Sequence, residues 1–207
     1  FRVGVIVGSG IGSLPQGEKN YEKILTKGPG KVNPLMVPMM ISNMAAGNVS
    51  IAYGLKGKKR FQHEVPTDGA DTVIIQHGIN DIIHPVGTEV NPFRPMSDMP
   101  TVEELIGLMK YYIDESRQFG YKVYVGTLLP IEGWRTYAPF REEVRAKFND
   151  WIRTTDLIDG CIDFDRALAD PERPTRMLPE FDSGDHLHPS KAGYKRMADI
   201  VPEEILL

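Results

Sequence analysis

A recurring alternation constrains this chain most: short β-branched apolar runs, each followed by a stretch with helical spacing. Asp71-Thr72-Val73-Ile74-Ile75-Gln76 reads as a buried strand, and so do Arg2-Val3-Gly4-Val5-Ile6-Val7, Tyr121 to Leu128 and Cys161 to Phe164. Residues 18–26 suit a short helix broken by Gly28-Pro29-Gly30, and Pro34 through Tyr53 suits a buried helix interrupted near Gly47. Thr101-Val102-Glu103-Glu104 carries a capping-box pattern, with Leu105, Ile106, Met109 and Ile113 at helical spacing behind it. Phe140 to Ile152 predicts another helix, and a last one begins near Ser190, just after Pro189. Strands that alternate with helices pair in parallel and are covered on both faces, so the expected fold is a three-layer α/β/α domain with a mainly parallel sheet. Ligands of such sheets bind at the carboxyl ends of the strands.

The 207 residues suit one domain with enough chain to bury a core without staples. A formal charge of −4 gives no broad electropositive footprint, so nucleic acid is not an expected partner. The longest basic cluster, Lys56, Lys58, Lys59 and Arg60, lies in a Gly-containing stretch and reads as a solvated linker. No apolar run approaches the ~20 residues that cross a bilayer, and the opening does not look like a signal peptide. The chain opens on Phe1 rather than Met, which leaves room for an upstream segment and leaves the compartment open. The single cysteine, Cys161, excludes an internal disulfide and an all-cysteine metal site, and its alternating surroundings predict a buried, inert thiol.

Two short stretches carry chemistry. His77-Gly78-Ile79-Asn80-Asp81 follows the strand at Thr72, where an Asn amide can donate to an oxyanion. Asp185-His186-Leu187-His188-Pro189 places an Asp three residues before a His, a spacing at which the carboxylate can fix the ring's tautomer. Pro85 to Pro100 is a long, proline-containing loop with the length of a binding or lid segment.

These stretches, with Gly133-Trp134-Arg135-Thr136-Tyr137 and Gly184 to Pro189, resemble the SGNH (GDSL-type) hydrolases from about Arg60 to the C-terminus. The resemblance implies an SGNH, flavodoxin-like architecture and an ester substrate, often an acetylated sugar or a lipid, with no cofactor. It also implies that Asn80 donates to the oxyanion, His188 is the general base and Asp185 orients it. Gly78, Trp134 and Arg135 are candidate oxyanion or substrate-cleft residues, although a rim-packing role suits Trp134 and Arg135 equally.

Residues 1–58 do not resemble that family's usual opening. Val3 to Gly12 and Asn33 to Gly57, Val37 to Ser50 above all, are similar to an internal piece of a β-ketoacyl-acyl-carrier-protein synthase. That piece stops before the family's nucleophilic cysteine, and no later segment matches its two histidines, so condensing activity is not expected. The chain reads as a chimera, natural or engineered, joined near Lys58 to Arg60, with residues 60–207 forming the hydrolase-like part. A strand, crossover helix and strand from one α/β fold can replace an equivalent unit of another when handedness agrees. The resemblance also places this segment near the synthase dimer interface, so an exposed apolar helix and self-association are expected.

The hydrolase family takes its nucleophile from a Gly-Asp-Ser turn, which is absent here. Ser9 follows a strand and a glycine, so it is the candidate nucleophile; Ser13, further past the turn, is its rival. Gly47 is the candidate for a second oxyanion N–H by order along the chain, though it reads more readily as a helix-packing glycine. His77 and His186 read as packing or substrate-contact residues. No spacing among His77, Asp81, His84 and His188 matches a standard zinc pattern. Met36, Met39, Met40 and Met44 read as a core face. Gly8-x-Gly10-x-x-Ser13 lacks the third glycine of a dinucleotide turn. Two classes of function follow: an SGNH ester hydrolase working through an acyl-enzyme, impaired by its replaced opening, or a folded but catalytically silent domain.

Overall fold

A computed structural model describes residues 71–87 and 95–206. The chain divides into two units, Val7–Val65 and Pro66–Leu207 with Phe1–Ile6. The described residues belong to the second. The strand expected at Arg2 to Val7, both N-terminal helices and the four methionines lie outside them.

Strand β1 (Thr72–Ile75) leads through the short helix α1 (Ile79–Ile83) and a 3-10 turn at Met96–Asp98 to the long helix α2 (Val102–Gln118). Strand β2 (Lys122–Gly126), helix α3 (Pro139–Thr154) and strand β3 (Gly160–Ile162) follow. The three strands form one parallel sheet in the order β1-β2-β3, with Val73 opposite Val123 and Val125 opposite Cys161. Both connections are helical crossovers, as parallel pairing demands. Beyond β3 come α4 (Phe164–Leu168), an antiparallel hairpin of β4 (Ala169–Asp170) and β5 (Arg173–Met177), α5 (Lys191–Asp199) and α6 (Glu203–Leu206).

The β-branched runs become strands because both faces are buried. Ile74, Tyr124 and Ile162 pack with Phe164, Met197, Ile200 and Ile205, which brings α5 and α6 to one face. Val73, Ile75, Val123 and Val125 alternate to the opposite face and are 0–6% exposed, and α2 and α3 supply Leu105, Met109, Ile113, Phe148 and Ile152 as further buried side chains. This is the expected three-layer α/β/α arrangement with a parallel sheet.

Local signals held at the helix starts. Thr101 Oγ1 accepts from Glu104 N–H at 3.2 Å while Glu104 Oε2 accepts from Thr101 N–H at 2.8 Å, completing the capping box. Ser190 caps α5, accepting from Gly193 N–H. Four expectations need correction. β2 ends at Gly126 rather than Leu128: Thr127 N–H still reaches Ile162 O of β3, but Leu128 N–H turns to the Asn149 side chain. The fourth expected strand stops at Ile162: the Asp163 side chain accepts from Arg166 N–H and starts a helix in which Phe164 already lies. The hairpin β4–β5 was not expected at all. Cys161 is half-buried rather than buried, and burial together with the Asp163 carboxylate pushes its thiol pKa up.

Candidate active site

The site begins where β1 ends. Gly78 takes φ +123°, a conformation L side chains rarely adopt, so the chain can turn from strand into α1 within one residue. Gly78 is itself buried, and a Cβ there would meet Phe148, Leu105 and Leu128 at 3.5–3.8 Å. Its carbonyl accepts from Ile82 N–H. The turn leaves Asn80 in the first turn of α1 with its side chain exposed. His77 lies against Tyr112, ring centroids 5.7 Å apart, and its Nδ1 is 3.9 Å from Asp81 Oδ2. Packing is therefore its visible role.

The second part is the loop between β5 and α5. Asp185 Oδ1 accepts from Leu187 N–H at 2.9 Å, His188 N–H at 2.8 Å and Ser183 Oγ at 3.1 Å. Its other oxygen, Oδ2, lies 2.6 Å from His188 Nδ1. Desolvation pushes this carboxyl up, but the backbone and ring hydrogen bonds of His188 and the Leu187 N–H outweigh it and hold the pKa far below the ordinary carboxylate range. An anionic Asp185 against Nδ1 puts the proton there and leaves Nε2 as the basic nitrogen. The His188 ring is more than half exposed, as a base that must meet substrate requires.

The stretch Gly133 to Tyr137, just beyond β2, joins the two parts. Thr136 Oγ1 donates to Ile83 O at 2.8 Å, tying it to the end of α1. Trp134 stands perpendicular to His188 at 6.5 Å between ring centroids and an interplanar angle of 88°. Arg135 lies over the Trp134 indole, its Cζ 4.7 Å from the ring centroid. Trp134 thus sits beside the imidazole, with Arg135 against its indole. The Trp134 Nε1–H is buried without an acceptor among the described residues.

One pair was missed. Asp182 Oδ1 accepts from Gly184 N–H at 2.8 Å and His186 N–H at 3.0 Å, and Asp182 Oδ2 lies 2.6 Å from His186 Nδ1. It repeats the Asp185–His188 arrangement, its Asp three residues earlier in the same loop. An Asp four residues before a His was the available signal. Ser9, Ser13 and Gly47 lie outside the described residues. Among those residues, no group of three or more His, Cys, Asp or Glu could hold a metal, and no helix is long and apolar enough to cross a membrane.

The sequence profile of the GDSL-like Lipase/Acylhydrolase family matches residues 13–196, well over half of the chain. The chain belongs to that family. The GDSL-like fold is also seen in solved structures. A GDSL-like lipase from Bacteroides thetaiotaomicron is 18% identical with a TM-score of 0.53, covering 72% of this chain and 68% of the other. A catalytic mutant of Axe2, an acetylxylan esterase from Geobacillus stearothermophilus, is 21% identical with a TM-score of 0.53, covering 72% and 65%. At these identities the likeness establishes the fold: the three-layer α/β/α architecture of GDSL-like hydrolases.

The ketosynthase resemblance is also found. A 3-oxoacyl-[acyl-carrier-protein] synthase 2 from Coxiella burnetii is 44% identical over 94 residues, and one from Staphylococcus aureus 38% over 93. The first match takes in 43% of this chain, more than the 58 residues expected from the sequence. The chain spans about a quarter of the length of these curated relatives, 23% in each case.

Proposed function

We propose that this chain is a serine ester hydrolase of the GDSL-like type, acting on a small-molecule ester through an acyl-enzyme. The observation that carries the reading is the Asp185–His188 pair, with 2.6 Å between Oδ2 and Nδ1 and the carboxylate fixed by two backbone N–H groups. A carboxylate on Nδ1 of an exposed ring suits it to take a proton at Nε2.

In the proposed sequence His188 removes the Ser9 hydroxyl proton as Oγ attacks the ester carbonyl. Asn80 donates to the oxyanion, with Gly47 as the second donor. His188 returns the proton to the leaving alcohol, and water, activated by the same base, releases the acid. Trp134 and Arg135 line the cleft beside the ring. The profile match starts at Ser13, four residues past Ser9, which makes Ser13 the alternative nucleophile. The acetylxylan esterase among the similar structures favours short acyl groups on a sugar as the first substrates to try. The synthase-like stretch lacks that family's catalytic cysteine and histidines, so no condensing activity is proposed.

The test is labelling with a fluorophosphonate and localisation by fragmentation of the tryptic peptide Val3 to Lys19, which holds both serines. Label on Ser9 that disappears in His188→Ala supports the proposal. Label on Ser13 moves the nucleophile, and no label on the folded protein makes the domain catalytically silent.

A further inference from the structure

We propose that the Asp182–His186 pair is a positioning device: a second Asp–His pair that does no proton transfer but seats the Gly133–Trp134 turn so that Trp134 stands perpendicular to His188. The inference rests on the hydrolase reading only for its kinetic consequence.

Three observations converge on it. First, His186 has φ +65°, the left-handed region that residues with a Cβ seldom occupy, so something holds it there. Asp182 does so, with a carboxylate only 11% exposed that takes both the backbone N–H and the ring of His186. The loop is pinned again by the bridge between Asp182 and Pro189, the residue next to His188. Secondly, the face of this imidazole is the surface on which the turn after β2 rests. Gly133 approaches so closely that a Cβ there would come within 2.7 Å of His186 Cγ and 2.8 Å of Cδ2. Gly133 also has φ +103°, so both partners in the contact adopt strained or glycine-only backbone to make it. Thirdly, the residue after that glycine is Trp134, whose ring meets His188.

The physical consequence is control of the base. A ring held at one nitrogen by Asp185 can still swing about that hydrogen bond. A perpendicular indole beside it limits the swing, as edge-to-face aromatic pairs prefer one geometry. Shifting the seat shifts Trp134, and Nε2 loses its aim at the nucleophile. Small misplacements of a catalytic group cost rate rather than binding.

The experiment uses the whole chain carrying Trp151→Phe, so that Trp134 is the sole remaining tryptophan of the two. Protonated imidazole quenches a neighbouring indole, so Trp134 emission against pH reports the His188 contact. Arg135 on the indole, Asp185 on the His188 ring and the neighbouring Asp182–His186 pair are charged or titratable too, and His188→Asn identifies the step that belongs to His188. His186→Ala is expected to abolish that step and lower kcat roughly tenfold or more with KM little changed. His186→Asn reproduces Cβ, Cγ and a donor at the Nδ1 position and tolerates positive φ, so it is expected to keep both the step and kcat. Should His186→Ala not fold, Gly133→Ala serves instead, since its methyl pushes the turn off an intact Asp182–His186 pair. An unchanged step in His186→Ala, or in Gly133→Ala where that variant replaces it, overturns the proposal. So does His186→Asn behaving like His186→Ala, which would mean that the imidazole's own titration is used. The emission step needs no nucleophile: a wild-type chain without hydrolysis but with the expected step pattern rejects the hydrolase reading and leaves the seat standing.

Discussion

Arg145 is 3% exposed, yet its guanidinium is bonded on every side. Nη1 donates to Asp165 Oδ1 at 2.6 Å and to Leu128 O at 2.8 Å, and Nε donates to Glu142 Oε2 at 3.0 Å. Burial pushes its pKa down, and Glu142 with Asp165 more than restores it. This cluster joins the segment just beyond β2 to the start of α4. Its two sides differ in what they leave behind. Remove Arg145 and Leu128 O keeps Asn149 Nδ2 at 2.8 Å, the Asp165 carboxylate keeps Arg153 Nη2 at 2.6 Å on its other oxygen, and Glu142 is 12% exposed. Remove Asp165 and an always-charged guanidinium stays buried with Glu142 as its sole counter-charge.

Arg145→Met, which fills the volume with an apolar stem, is therefore expected to cost about 1–2 kcal/mol, the net of lost charge-assisted bonds and relieved desolvation. Asp165→Ala is expected to cost about 3–5 kcal/mol, the range for stranding one partner of a buried pair. In the double variant about half of the second loss disappears, giving a coupling of roughly 2 kcal/mol. Urea titration followed by tryptophan emission measures all three, since both tryptophans lie in the Pro66–Leu207 unit and report its unfolding. Arg145→Met costing as much as Asp165→Ala would refute the reasoning.

Asp185→Asn presents an amide to His188 Nδ1 and favours the wrong tautomer, so kcat is expected to fall on the order of 10⁴-fold, with fluorophosphonate labelling slowed alongside it. The same variant tests the pH dependence. Because the folded pKa of Asp185 lies below its unfolded value, its stabilisation is fully present above about pH 4 and is lost as pH falls through the folded value. Acid unfolding curves of wild type and variant should thus diverge above that pH and converge below it. Gly126→Ala places a Cβ 2.5 Å from Phe164 Cε2, a ring only 5% exposed, and overpacking of this kind is expected to cost about 1–3 kcal/mol in the same urea assay.

What could be read from the sequence was what is local. The Asp185–His188 bond spans three residues of one loop, and the Thr101–Glu104 capping box spans one helical turn, so spacing alone dictates the contact. Phe164 was misread because an apolar alternation looks the same whether it continues or meets a cap; the deciding group was the Asp163 side chain. The β4–β5 hairpin escaped because Arg173-Pro174-Thr175-Arg176 is polar, exposed and interrupted by proline, the composition of an edge that needs no hydrophobic pattern. Neither the Arg145–Asp165 pair nor the seating of Gly133 on His186 has a sequence signature, because each joins residues from different crossovers.

The two similarities of the opening segment bear on its chemistry more than on its fold. Only residues 1–12 and 197–207 lie outside the family match, so the synthase-like stretch and the hydrolase profile share residues. One strand–turn–helix pattern can satisfy both, because a parallel sheet asks of each unit only the same apolar period and the same handedness. Chemistry is less permissive. The proposed acyl-enzyme needs one hydroxyl oxygen within hydrogen-bond reach of His188 Nε2. Gly8-Ser9-Gly10 offers it before the match begins and Ser13 at its first residue. A helical segment can change its parentage and still pack, but a nucleophile displaced by four residues cannot meet the same base. The labelled serine therefore decides which of Ser9 and Ser13, if either, meets His188.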